Sequence, residues 1–126
     1  MRYIIKRVGQ EPTFVETNDV TPWSALCSKS HLGSEYGFCD TRPIGITKDK
    51  KAIIYVMFDD NGYFLREKLG YNCNIPSETT AFENKLYGDI LFLRASRTGE
   101  GETLDIEDED MELILKTIFT SKSEEN

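Results

Sequence analysis

The sequence predicts a single α+β domain, in which a mostly antiparallel sheet of about five to six strands is covered on one face by two or three helices. Three observations predict this class. Residues 52–58 and 89–95 are apolar stretches typical of buried strands, and residues 103–119 have the periodicity of an amphipathic helix. A chain of 126 residues, 39% of them hydrophobic, is also long enough to form one core. We place the domain at residues 1–120 and a frayed acidic tail at residues 121–126.

The N-terminal region predicts a strand pair followed by a short helix. Residues 1–8 and 13–16 are rich in β-branched and aromatic side chains, and a turn with glycine and proline separates them. This pattern predicts a hairpin. Asp19 or Thr21 can then cap a helix that ends near Gly33.

The middle of the chain predicts one irregular strand and one buried hairpin. Residues 34–51 alternate apolar with small or polar side chains, but Pro43 and Gly45 indicate that any strand there is broken or at an edge. Residues 52–58 follow as a buried strand. The Asn61-Gly62 pair predicts a tight turn, with residues 63–65 as the returning strand.

The following region predicts a loop, a brief helix and a second buried strand. Residues 68–76 contain glycine, asparagine and proline, which are typical of a loop. Residues 77–86 can form a brief helical segment. Residues 89–95 predict the second buried strand, and residues 97–101 predict a mobile connection.

The C-terminal helix is predicted to carry an apolar face and an acidic first turn. The acidic side chains at residues 107–110 suit the positive end of a helix dipole, and we expect them to be solvated. The apolar positions recur at helical spacing and predict a stripe that covers the sheet: Met111, Ile114, Leu115, Ile118 and Phe119.

The net charge of −7 is concentrated in this C-terminal region. Residues 99–126 hold ten acidic residues and two lysines, so the rest of the chain is nearly neutral. A solvated helix face explains such a patch in the ordinary case. The functional interpretation is a surface that meets a basic partner or occupies a nucleic-acid groove.

Catalytic and metal-binding motifs are absent from the sequence. His31 is the single histidine and has no nucleophile motif beside it, so no Ser-His-Asp triad is indicated. Cys27, Cys39 and Cys73 lack the close spacing of a zinc site, and three reduced thiols in a cytoplasm are the simplest interpretation. We expect no metal and no cofactor. Residues 57–68 also lack the oxygen ligands of a calcium loop at both ends.

The order of elements resembles a family of small uncharacterised proteins encoded by phages and conjugative elements of Gram-positive bacteria. The similar features are the N-terminal strand pair, the apolar strand that ends in the acidic turn 58–62, the strand 88–95 and the acidic-capped helix 106–119. The chain departs from the family at residues 69–73, where a proline and an arginine are missing. The resemblance implies a protein carried by a mobile element, and such proteins often oppose host defence.

Together these observations predict a non-enzymatic binding protein that inhibits a bacterial defence nuclease, such as a CRISPR effector or a restriction enzyme. We expect its partner to be a basic, nucleic-acid-binding host protein in the cytoplasm, with no membrane association and no direct binding to nucleic acid. The predicted partner-binding residues are acidic: Asp105, Glu107, Asp108, Glu109, Asp110 and Glu112.

Two alternatives from other classes stay open. The first is a sponge, assembled as an oligomer, that sequesters a nucleotide second messenger through arginines and a tyrosine: Arg66, Tyr71, Arg94 and Arg97. The second is an enzyme with Cys39 or Cys73 as nucleophile, although no neighbouring residue in the sequence activates either thiol.

Overall fold

The computed structural model describes residues 1–16, 39–75, 85–97 and 102–118. The strands in these residues are β1 (Arg2–Lys6), β2 (Thr13–Glu16), β3 (Cys39–Ile46), β4 (Ala52–Asp59), β5 (Tyr71–Asn74), β6 (Lys85–Tyr87), β7 (Ile90–Ser96) and β8 (Thr103–Leu104). Six of these described strands form one antiparallel sheet in the order β2-β1-β7-β4-β3, and β8 pairs with β7 beside β1. The other two, β5 and β6, form a separate antiparallel pair.

β7 and β4 are the central strands, as their apolar composition predicts. Val56 lies opposite Phe92 in their ladder, and both side chains are fully buried. β1 lies on the other side of β7, with Ile4 opposite Phe92. The predicted N-terminal hairpin is confirmed, because β1 and β2 pair antiparallel.

β3 lies at the outer side of β4, and it is irregular as its proline and glycine predict. The register between the two strands shifts between Pro43 and Gly45. A Cβ atom at Gly45 would come within 3.2 Å of Leu113, so the missing side chain lets the C-terminal helix approach β3 closely. The prediction of a broken or edge strand is confirmed.

The core has two parts, one on each face of the sheet. The larger part includes Ile4, Ile54, Phe92, Ile106 and Ile114, together with apolar residues of β5 and β6. The smaller part, on the opposite face, contains Tyr3, Ile5, Met57, Leu91 and Leu93. The β5–β6 pair and the C-terminal helix therefore cover the same face of the sheet.

The predicted cover of two or three helices is wrong. The described residues contain two short helices, α1 (Arg66–Leu69) of four residues and α2 (Asp110–Thr117) of eight. Antiparallel strands make up most of the remaining structure. The predicted helix that ends near Gly33, and residues 77–84 of the other predicted helical segment, lie outside the described residues.

Two local predictions in the middle of the chain are also wrong. The chain after Asp59 does not return as a strand, because successive turns lead into α1. Phe64 in this segment is 82% exposed, so it does not pack as a strand residue would. Residues 71–74, which the sequence assigns to a loop, form β5.

The C-terminal helix is confirmed but begins later than predicted. Ile114 is fully buried, and Met111 and Ile118 pack partly buried against the core. Leu115 is 49% exposed, so this position of the predicted stripe does not cover the sheet. Phe119 lies outside the described residues. Across the described part of the chain, neither helix has the length and apolar character that crossing a bilayer requires.

Candidate functional site

A buried ion pair joins the sheet to the C-terminal helix. Arg94 on β7 and Asp110 at the start of α2 have side chains that are 4% and 1% exposed. The Arg94 Nη1 atom donates to both carboxylate oxygens of Asp110, at 3.3 and 3.0 Å. A charged side chain inside an apolar strand needs such a partner, since an unpaired buried charge is strongly unfavourable.

Asp110 also holds the turn that precedes α2. Its Oδ2 atom accepts a hydrogen bond from the backbone N–H of Glu107 at 2.8 Å. One carboxylate therefore fixes both the position of the helix and the conformation of residues 107–110. The sequence-based prediction that all four of these acidic residues are solvated is wrong for Asp110.

A second carboxylate reaches Arg94 from the turn between β3 and β4. Asp49 Oδ2 lies 2.7 Å from Arg94 Nη2. Hydrogen bonds from the Thr47 hydroxyl, the Lys51 backbone N–H and Arg94 lower the pKa of Asp49 well below its usual value of 3.8. Burial lowers the pKa of Arg94, but its hydrogen bonds to Asp49 and Asp110 and nearby negative charges raise it above its usual value.

Arg2 holds the chain on the N-terminal side of the turn at residues 107–110. Its backbone N–H donates to Asp105 Oδ1 at 2.9 Å, and its Nη2 lies 2.8 Å from Asp108 Oδ1. The backbone N–H of Ile106 donates to the Arg2 carbonyl at 2.9 Å. Residues 105–110 are thus joined to the sheet at both ends.

The exposed carboxylates of this region form a surface that we call the acidic ridge. The ridge consists of Asp105, Glu107, Asp108, Glu109 and Glu112, all of which are exposed. Asp105 and Asp108 bind Arg2, and the Glu107 carboxylate lies 3.4 Å from Arg94 Nη1. It contains every residue of the predicted partner-binding set except Asp110.

One group of acidic side chains here has the spacing of metal ligands. Carboxylate oxygens of Asp49, Glu107 and Glu109 lie within 4.8 Å of one another. The guanidinium of Arg94 already contacts Asp49 and Glu107, at 2.7 and 3.4 Å. Because Arg94 supplies the positive charge, we assign no metal to this group.

The structure does not bring the four predicted nucleotide-binding residues together. Arg94 is buried among carboxylates, and Arg97, near the same end of β7, donates to the Lys50 carbonyl at 3.0 Å. Arg66 lies over the Tyr63 ring at 4.2 Å, and the Tyr71 hydroxyl donates to Asn74 at 2.6 Å. Tyr71 pairs with Tyr87, which comes just before β7 begins. Tyr71 therefore lies near the start of β7, whereas Arg94 and Arg97 lie near its end.

The described cysteines do not form a reactive site. Burial raises the pKa of the Cys73 thiol to about 11, which disfavours the nucleophilic thiolate. Cys39 is disulfide-bonded, so the prediction of three reduced thiols is wrong for this residue. Cys27 and the single histidine, His31, lie outside the described residues.

Sequence reasoning missed a cavity at the opposite end of β4 from Asp49. It is lined by aromatic and charged side chains and has a volume of about 210 Å³. Asp59, at the end of β4, is 5% exposed and lines this cavity. The sequence signal for it is the Asp59-Asp60-Asn61-Gly62 stretch, whose pattern by itself predicts only a turn.

No family model matches this chain, and neither the curated proteins nor the solved structures contain a significant match. The function is therefore argued from the geometry of the acidic ridge and the cavity.

Proposed function

We propose that this protein is a non-enzymatic binding protein that inhibits a bacterial defence nuclease, a CRISPR effector or a restriction enzyme, through the acidic ridge. The observation that carries this proposal is the anchoring of the ridge. Five exposed carboxylates lie on a segment that Asp110, Arg94 and Arg2 hold against the sheet.

Anchoring matters because binding is weakened when loose side chains and loops must first be ordered. The acidic segment is joined to β1 and β7 before any partner arrives. A fixed set of carboxylates suits lysines and arginines that otherwise bind the phosphates of nucleic acid. Such a surface would compete with nucleic acid for the partner.

The least neutralised part of the ridge is at the start of α2. Within the described residues, Glu109 and Glu112 have no ion pair within 4.0 Å, whereas Asp105 and Asp108 bind Arg2. Glu107 is 53% exposed although it lies near Arg94. These three glutamates are therefore the ones we expect to contribute most to the partner's binding energy.

The resemblance to proteins of phages and conjugative elements supports the choice of a defence nuclease as partner. We accordingly place the protein in the cytoplasm of the bacterial host. The disulfide at Cys39 argues against this compartment, where disulfides are rare, so the state of Cys39 in cells tests the location. Thiol trapping that finds Cys39 reduced would support it, and an oxidised Cys39 would argue for another compartment.

The proposal is tested with a panel of purified CRISPR effectors and restriction enzymes in DNA-cleavage assays. We expect the wild-type protein to inhibit at least one of them. The ridge variant Glu107→Gln/Glu109→Gln/Glu112→Gln should lose most of that inhibition, because it removes three charges and leaves the Arg94–Asp110 pair intact.

The chain offers a matched control. Glu11, Glu67 and Glu102 are also exposed glutamates, and none of them belongs to the ridge. The variant Glu11→Gln/Glu67→Gln/Glu102→Gln has the same net charge as the ridge variant and should inhibit like the wild type. Equal loss in both variants would show a general charge effect, and undiminished inhibition by the ridge variant would contradict the proposal.

A further inference from the structure

The cavity at the end of β4 combines aromatic rings with a buried carboxylate. It lies between the end of β4, the following turn and β6, and its volume is about 210 Å³. That volume is enough for a small functional group rather than a whole nucleotide. Its aromatic lining residues are Phe58, Tyr63, Phe64 and Tyr87.

Asp59 has an incomplete set of hydrogen bonds. Its Oδ1 atom accepts from the backbone N–H of Asn61 at 2.8 Å. Its Oδ2 atom is buried, and no group in the described parts of the chain donates to it. Asp59 also forms no ion pair with any residue in those parts. A buried carboxylate oxygen without a donor is costly, so it indicates a missing partner.

The backbone fixes Asp59 in this position. Asp59 lies opposite Cys39 in the β3–β4 ladder, and its carbonyl accepts from the N–H of Gly62 at 3.0 Å. A Cβ atom at Gly62 would come within 3.1 Å of that carbonyl oxygen, so the turn is closely packed. The carboxylate is therefore held at the cavity wall by structure on both sides of it.

The aromatic rings around Asp59 suit a positive charge. Tyr63 and Tyr87 pack edge to face, with ring centroids 6.2 Å apart, and Phe64 is 82% exposed at the cavity. Aromatic faces attract cations. Two rings here already do so, because Arg66 lies 4.2 Å from the Tyr63 ring and Arg42 lies 5.5 Å from the Phe58 ring.

The charges on the cavity wall favour a cation by a small margin. Asp40 and Asp60 join Asp59 in the lining, against Arg42 and Lys85. Because Asp59 is the buried member of this set, its charge is the least screened by water. Three carboxylates against two cations leave the wall with one negative charge in excess, which disfavours an anionic ligand and attracts a cationic one.

We propose that this cavity binds an organic cation that carries N–H donors, either an alkylammonium or a guanidinium group. Asp59 is the counter-ion, and the rings of Tyr87 and Phe64 contact the apolar part of the ligand. The group can belong to a free small amine or to a lysine or arginine side chain of another protein. The cavity lies on the order of 20 Å from Asp49 along β4, so this proposal does not depend on the acidic ridge.

The test is an NMR titration of the ¹⁵N-labelled full chain with methylguanidinium and methylammonium. We expect saturable shifts of the backbone amides of residues 59–62 and of Tyr87. The Asp59→Asn variant should bind about tenfold more weakly or worse. Asp60→Asn is the matched control, because Asp60 lines the same cavity but is exposed, and it should retain nearly full affinity.

Tetramethylammonium tests the role of the N–H donors, since it has the same charge without them. It should bind clearly more weakly than methylammonium. A capped arginine, N-acetyl-arginine methylamide, distinguishes the two sources. Binding as tight as that of methylguanidinium indicates a protein side chain, and exclusion of the capped residue indicates a free small cation.

Several results would overturn the proposal. Shifts that do not saturate, shifts that occur away from residues 59–62, or equal affinity of Asp59→Asn and the wild type would each do so. If Asp59→Asn does not fold, Tyr87→Leu replaces it, because loss of the ring should also weaken methylguanidinium binding. Unchanged binding to that variant would equally contradict the assignment.

Discussion

Replacing Asp110 by alanine should destabilise the protein far more than replacing a neighbouring exposed acidic residue. Asp110 is 1% exposed and accepts from Arg94 and from the Glu107 backbone N–H. Removal of one member of a buried ion pair costs about 3–5 kcal/mol. Loss of an acceptor for an N–H at a helix start adds about 1 kcal/mol.

The remaining partners of Arg94 reduce this estimate. Asp49 stays at 2.7 Å and Glu107 at 3.4 Å, so the guanidinium keeps part of its compensation. We therefore expect Asp110→Ala to lower the free energy of unfolding by about 4 kcal/mol, a large fraction of the usual total. Asp108→Ala is the control, because Asp108 also binds an arginine but is 87% exposed, and it should cost less than about 1 kcal/mol.

Urea unfolding at pH 7, followed by far-ultraviolet circular dichroism, measures these free energies. A double-mutant cycle with Arg94→Met isolates the pair itself. Because Arg94→Met/Asp110→Ala leaves neither charge buried alone, it should cost less than the sum of the single variants by about 2 kcal/mol or more. Equal costs for Asp110→Ala and Asp108→Ala, or simple additivity in the cycle, would refute this account of the pair.

Two further predictions concern pH and the helix face. The pKa of Asp49 is lower in the folded protein than its usual value of 3.8, so its contribution to stability is present above that pH and is lost as the pH falls below it. The urea midpoint of the wild type should therefore exceed that of Asp49→Asn at pH 7, and the two midpoints should converge toward pH 2. A difference between the midpoints that stays constant with pH would contradict a contribution from the ionised Asp49 carboxylate. Ile114→Ala should cost about 2–5 kcal/mol because Ile114 is fully buried, whereas Leu115→Ala at a half-exposed position should cost less than about 1 kcal/mol. Equal costs in urea unfolding would show that the assigned helix face is wrong.

The central strands could be predicted from sequence because their burial leaves a simple pattern. β4 and β7 have neighbours on both sides in the sheet, so both consist largely of apolar residues. The irregular β3 was also predictable, because proline and glycine restrict where a strand can lie. In each case a local property of the residues decides the structure.

The segment after β4 could not be predicted in this way. Tyr63-Phe64-Leu65 has the composition of a strand, but hydrogen bonds to Asp59 close a turn at Asn61 and Gly62 first. The chain then continues through turns into α1 and leaves Phe64 exposed. Local polar groups here override the strand propensity of aromatic residues.

β5 was missed for a related reason. Its sequence, Tyr-Asn-Cys-Asn, is typical of a loop. In the structure the side chain of Asn72 is buried and donates to the carbonyls of Lys6 and Gly88, at 3.0 and 2.8 Å. Its oxygen accepts from the Lys6 ammonium at 2.7 Å. These partners are distant in sequence, so composition alone does not reveal them.

The sequence does contain an indication of the Arg94–Asp110 pair. An arginine inside the apolar strand β7 requires a buried partner, and the acidic run 107–110 offered several. The buried partner of Arg94, Asp110, lies 16 residues away, and no local periodicity indicates it. The structure thus assigns Asp110 of this run to stability and leaves the other three acidic side chains exposed.

The most direct test of the proposed function is the salt dependence of binding to whichever nuclease the protein inhibits. Affinity would be measured by calorimetry between 50 and 300 mM NaCl for the wild type, the ridge variant and the matched control. We expect a steep loss of wild-type and control affinity with rising salt, and a weaker, flatter dependence for the ridge variant. The same slope and affinity for all three proteins would contradict a role for the acidic ridge.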